Sequence, residues 1–124
     1  MTTLYLEDRT GLPGRTIELQ MYPDEAALIA ALKADDLWKH CPEDTIAFTD
    51  CIDGPKIGKF YLIDGVDHDT VAHEATHMAL HCMSLLGHES LPIVKAGERA
   101  PQIEEDLCGL VGYMTEIIYG GIYE

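Results

Sequence analysis

A chain of 124 residues with 47% hydrophobic content is the size of one domain around one core, neither disordered nor long enough for a second. Its 22 Asp and Glu against 8 Lys and Arg leave −14 at neutral pH, a field that repels phosphate backbones and excludes direct nucleic-acid binding. The same field favours a basic partner or peptide substrate, and no apolar run approaches the roughly 18 residues that span a bilayer.

In chain order, residues 2–7 (TTLYLE) and 16–22 (TIELQMY) alternate as strands, joined by the turn-rich DRTGLPGR. Pro23 and Asp24 open an alanine-rich amphipathic stretch, DEAALIAALKA, that is expected to end before Asp35–Asp36. TIAFTDCI (45–52) and KIGKFYLI (56–63) read as two more strands around the hairpin turn Asp53-Gly54-Pro55, with β-branched and aromatic side chains throughout. From Asp67 to about Leu86 the period becomes helical, with Asp67 or Asp69 as N-cap and Gly87 as stop. Residues 88–101 read as a loop long enough to matter functionally, and Pro101 begins a last helix to about Tyr119, ended by Gly120-Gly121. The expected architecture is one α+β domain over residues 1–124: an antiparallel sheet of about four strands, one early helix and two long later ones.

Cys41, Cys51, Cys82 and Cys108 include no CxxC pair, so a structural zinc knuckle has no support. The opening MTTLYLEDRT lacks a basic region followed by an apolar stretch, and the chain is expected to be cytoplasmic with reduced thiols.

The chemistry concentrates in HDTVAHEATHMALHCM, residues 68–83. On a helix His73 and His77 emerge on one face one turn apart, close enough for two imidazole nitrogens to reach one zinc ion at roughly 2.0–2.1 Å. Glu74 lies beside the pair and can reach a water on the metal without taking a ligand position, as general base and acid. A shuffled chain of this composition shows HExxH roughly 2–3% of the time, so the apolar flanks Val71, Ala72, Ala75, Met78, Ala79 and Leu80 matter: they place the motif on a packed helix. Two His need a third protein ligand if a position is to stay open, and the first turn of the last helix offers Glu104, Glu105 and Asp106. An acidic first turn is also what the helix dipole favours.

The strings V-A-H-E-A-T-H and E-E-D-L-C-G-L-V-G-Y-M-T resemble the small HExxH proteins encoded in bacteriophages and prophages, which are similar to gluzincin-type metallopeptidases. The resemblance covers residues 71–78 and 103–115, and the N-terminal half only in its β-then-helix order. It implies a zincin-like fold in which two His on one helix and a Glu on the next bind Zn2+. Gluzincins often carry a bulky apolar and a small residue two and three places after that Glu. Glu105, Leu107 and Cys108 fit this register, whereas Glu104 would put Asp106 at the apolar place, so the resemblance implies Glu105 as third ligand with Glu104 as runner-up. Cys108 departs from the commoner Ala. A metzincin pattern is excluded, because Leu80 stands at the place of its Gly and Met83 at that of its third His.

Among the remaining residues, Tyr113 lies eight places after Glu105 and is the candidate donor to an oxyanion; otherwise it packs in the core with its hydroxyl at the edge. His81 is about 80° around the helix from His73, which favours a supporting or surface place, and His68 reads as an exposed loop His. Asp67 and Asp69 could orient a ligand His but are equally explained by helix capping. Gly109 and Gly112 are expected to let the two long helices approach and bring Glu105 to the His pair, while Cys82 and Cys108 read as buried small hydrophobes rather than soft ligands. The strand Lys56–Ile63 is expected to form an edge beside the metal cleft. The expected activity is zinc-dependent hydrolysis of a peptide or isopeptide amide in a basic substrate. A second class stays open on the sequence: an acidic binding or inhibitor protein of phage origin that keeps the zinc structurally and docks on a basic host partner.

Overall fold

In the computed structural model, which describes residues 1–7, 10–88, 97 and 102–123, four strands and three helices build an α+β domain. The strands are β1 (Thr2–Tyr5), β2 (Thr16–Tyr22), β3 (Ala47–Cys51) and β4 (Lys56–Ile63), and the helices α1 (Glu25–Ala34), α2 (His68–Leu85) and α3 (Gln102–Ile122). The expected loop at 88–101 and the start of the last helix at Pro101 lie, apart from His88 and Gly97, outside the described residues. A 3-10 turn at Trp38–His40 follows α1 and had no distinct signal in the sequence.

Local chemistry sets the helix starts. Asp24 accepts from the Ala27 amide and caps α1, and Asp67 accepts from the Thr70 amide and caps α2, each at 2.8 Å. Hydrogen bonds from the Thr70 side chain and amide hold the Asp67 carboxyl below its ordinary pKa. Gly87 takes φ +95 just beyond α2, the left-handed stop expected of it. Gly120 and Gly121, by contrast, do not end α3, which runs through both to Ile122.

The sheet has the order β1-β2-β4-β3, with β1–β2 and β3–β4 antiparallel. β2 and β4 are parallel, so the sheet is mixed rather than antiparallel throughout. Parallel pairing needs a crossover of a dozen or more residues, which α1 and the segment after it supply. The same order corrects the expected edge. Lys56–Ile63 lies inside the sheet between β2 and β3; the edges are β1 and β3, and β3 is the one beside α2.

Because side chains alternate along a strand, the sheet presents two faces. Ile17, Leu19, Phe60 and Leu62 pack with Val71, Ala75, Met78, Ala79 and Cys82 of α2 and Leu110, Met114 and Ile118 of α3. Tyr22 and Tyr61 point the other way, against Leu28 and Leu32 of α1. Helices on both faces explain why β4 is buried along most of its length. No helix among the described residues is long and apolar enough to cross a membrane.

Two glycines fix how closely the layers approach, and neither is a pair the sequence singled out. A Cβ at Gly58 would stand 2.3 Å from the Asp50 carbonyl oxygen and 2.5 Å from Met78 Cε, so α2 rests directly on β4 there. A Cβ at Gly121 would meet Leu19 at 3.2 Å and Leu4 at 3.4 Å. No atom of the described residues outside α3 lies within 4 Å of a Cβ at Gly109 or Gly112, so neither mediates a close helix approach among them. Gly58→Ala is therefore expected to lose stability by about 1–3 kcal/mol or more through overpacking. Gly112→Ala should gain up to about 1 kcal/mol from helix propensity. Urea midpoints at equal m-value measure both, and the two shifts should have opposite sign.

Candidate metal centre

α2 turns one stripe to the core and leaves the next stripe open. Val71, Ala75, Met78, Ala79 and Cys82 are fully buried, whereas His73 and His77 are exposed. Glu74 sits at the border and is 4% exposed. The helix runs alongside the edge strand in the same direction, held by two ties. Thr49 Oγ1 donates to the Glu74 carbonyl at 3.4 Å, and His81 Nε2 donates to the Ile52 carbonyl at 2.8 Å. His81, expected to support or stay at the surface, thus fixes the end of β3 against α2.

Between β3 and α2 lies a cavity of about 690 Å³, lined from the strand side by Thr45 to Thr49 and Cys51 and from the helix side by Asp69, Thr70, His73, Glu74 and His77. The Nε2 atoms of His73 and His77 are 3.1 Å apart, with the rings edge to face at 78°. Two nitrogens bound to one tetrahedral zinc at the usual bond length stand about 3.3 Å apart, so the pair needs almost no rearrangement to share an ion. One ligand atom from each of His73, Glu74 and His77 lies within 4.8 Å of the others, a cluster able to coordinate a metal ion.

An N–H···N hydrogen bond between the imidazoles has a similar length, so the separation alone does not decide. Glu74 does. Its Oε2 is buried and has no hydrogen-bond partner. Burial pushes the carboxyl above its ordinary pKa, offset in part by His77, His73 and the Thr49 hydroxyl. A buried carboxylate oxygen without a partner costs about 1–3 kcal/mol or more. A cation, or a water held beside the imidazoles, would satisfy it, so the donor set fits a metal ion such as zinc held beside Glu74.

The other expected site residues lie elsewhere. α3 packs antiparallel to α2, with His68 Nδ1 against the Tyr119 hydroxyl at one end. At the opposite end Met83, Leu86 and His88 share a second cavity with Glu105, Asp106, Gly109 and Tyr113. Met83 is six residues beyond His77, about 9 Å along the axis and about 120° around it. Glu105 is therefore not brought to the His pair, and neither is Tyr113. The Tyr113 hydroxyl instead accepts from the Glu7 amide at 3.1 Å while the ring is buried. Glu104 and Glu105 occupy the first turn of α3, where the helix dipole favours them.

All four cysteines are free thiols. Cys82 is buried as expected and its pKa is pushed up to about 11 by burial and then by the nearby Cys51. Cys108 is exposed, because it follows the outer face of α3 rather than the seam with α2. Cys51, which the sequence reading left unassigned, lines the metal cavity; its alternation with Thr49 on β3 was the available signal.

The chain matches no known protein family, curated protein or solved structure.

Zinc titration separates these placements. His73→Ala and His77→Ala are expected to weaken binding by more than the roughly 10–100-fold that loss of a supporting contact costs. Glu105→Gln should leave affinity within a few-fold, as should Tyr113→Phe. Isothermal calorimetry on the refolded apo chain gives the numbers, and the melting temperature should rise with zinc only where the pair is intact.

Proposed function

We propose that the chain is a zinc-dependent hydrolase of peptide or isopeptide amides, working in the cleft between β3 and α2. The observation that carries this is the buried, unpartnered Glu74 Oε2 opening on the same cavity as two imidazole nitrogens 3.1 Å apart. His73 and His77 would hold the ion. When bound, zinc supplies Lewis acidity toward a carbonyl and toward water. Glu105, the third ligand implied by the family resemblance, would have to travel along α2 from the opposite cavity to join them.

Glu74 performs the proton work. A carboxyl whose pKa is raised by burial is a stronger base than an exposed one, and Oε2 is free to take a proton from the attacking water. The same oxygen returns that proton to the amine as the C–N bond breaks. Its backbone is held by Thr49, so the carboxylate keeps its place relative to the edge strand.

The edge strand supports an extended substrate. β3 pairs with β4 on one side, and its outer edge has no strand partner among the described residues. An extended peptide can add there as a further strand about 4.7–4.9 Å away, its carbonyls running past the His pair. Isopeptide and peptide amides share this chemistry.

Glu74→Gln tests the assignment. The amide keeps the shape and loses the base, so cleavage of a peptide library should fall by at least the about 10²–10⁴-fold that general-base catalysis contributes. Zinc content measured on the same sample should stay at one per chain. Unchanged turnover in that variant would exclude Glu74 as base.

A further inference from the structure

The cleft is chemically lopsided. Beside Glu74, two further carboxylates line it, Asp44 from the turn before β3 and Asp69 from the first turn of α2. No Lys or Arg is among its described lining residues. Asp69 also lines an adjoining groove of about 360 Å³ with Ala72, Thr76 and Leu80, which shares His73 and His77 with the main cavity. It therefore stands where the two spaces meet.

Asp69, in the first turn of α2, complements the helix dipole, but neither carboxylate has a partner side chain among the described residues. The cap of α2 is Asp67, not Asp69. Lys39, before the cavity-lining His40 in the chain, is paired with Asp36 at 3.0 Å. The Asp44 and Asp69 side chains take no hydrogen bond or ion pair among the described residues. Acidic surface residues alone mean little, but this cavity also holds Glu74, 4% exposed and with Oε2 unpartnered, which marks it as a space for a ligand.

We infer that the end of the cleft at the N-terminus of α2 is a subsite for a cationic side chain, so that the substrate is a peptide with Lys or Arg one or two residues from the scissile bond. The inference rests on the hydrolase reading for the position of that bond. Asp69 lies one turn before His73, about 6 Å along the axis. Extended residues are about 3.3 Å apart, so a carbonyl over the His pair puts its first or second neighbour beside Asp69. The overall charge of −14 draws such a peptide toward the protein, and the two carboxylates select where its cation rests.

The test uses the zinc-loaded full chain carrying Glu74→Gln, so that binding is read without turnover. Fluorescent decapeptides, acetylated and amidated at their ends, carry Lys, Gln or Glu at the central positions. Anisotropy should show the Lys peptide binding about tenfold tighter than the Glu peptide, as two partly exposed ion pairs allow. Adding Asp44→Asn with Asp69→Asn should bring the three peptides within about twofold, with zinc content and circular dichroism unchanged. Equal binding of all three, or no binding of any, overturns the subsite. So does a preference that persists in the double variant, since the diffuse charge of the whole chain would then be its cause. A native chain that binds the Lys peptide and leaves it intact would instead refute the hydrolase reading and leave the subsite standing.

Discussion

A carboxylate buried with one oxygen unsatisfied is the constraint around which the domain is arranged. Glu74 stands between the apolar stripe of α2 and its two exposed imidazoles, where an apolar residue would fit more cheaply into a packed interface. Leu or Met at that position would bury apolar area without the about 1–3 kcal/mol that an unpaired buried acceptor costs. The surrounding packing holds it regardless. Gly58 lets α2 settle onto β4, Thr49 binds the Glu74 carbonyl, and His81 binds the end of β3. Strain of this kind, kept in place by independent contacts on two sides, belongs to a site rather than to a core.

What could be read from the sequence divides along how local each feature is. His73 and His77 are four residues apart on one helix, so their spacing alone determines that the nitrogens meet, and they do at 3.1 Å. The caps at Asp24 and Asp67 and the bounds of β2 and β4 are equally local. The direction of β2 relative to β4 is not, because alternation along a strand says which face is buried and nothing about the partner. The edge was misplaced for the same reason. A well-buried strand such as KIGKFYLI reads as strongly at an edge as inside, and only the order of the finished sheet shows that β3 is outermost.

The relation of α3 to α2 is the least local feature and the one the motif could not carry. Whether a first-turn carboxylate reaches an ion on a neighbouring helix depends on the axial register and on which face is turned inward. Leu110, Met114 and Ile118 are buried, and they turn Glu105 toward Met83 and Leu86 rather than toward His77. Gly109 and Gly112 look like a small-residue seam in the sequence, yet no described residue packs closely against either. The acidic first turn then has its ordinary explanation, anionic charge at a helix N-terminus, with Gln102 bonded to Asp106 at 2.8 Å.

An open strand edge is a hazard, since another copy of the chain can pair with it. β3 has no Pro within it and only one charged residue, Asp50, which pairs across from Lys59 and does not block the edge. The protection is electrostatic and global. Two copies each carrying −14 repel as they approach, whereas a cationic peptide is drawn in by the same field. Acidic charge, first legible as a reason against nucleic acid and for a basic partner, thus lets this strand stay uncovered beside the imidazoles while keeping it from the protein's own kind. That protection weakens as salt screens the field over about 10 Å at 0.1 M, so the uncovered edge relies on the charge of the whole chain.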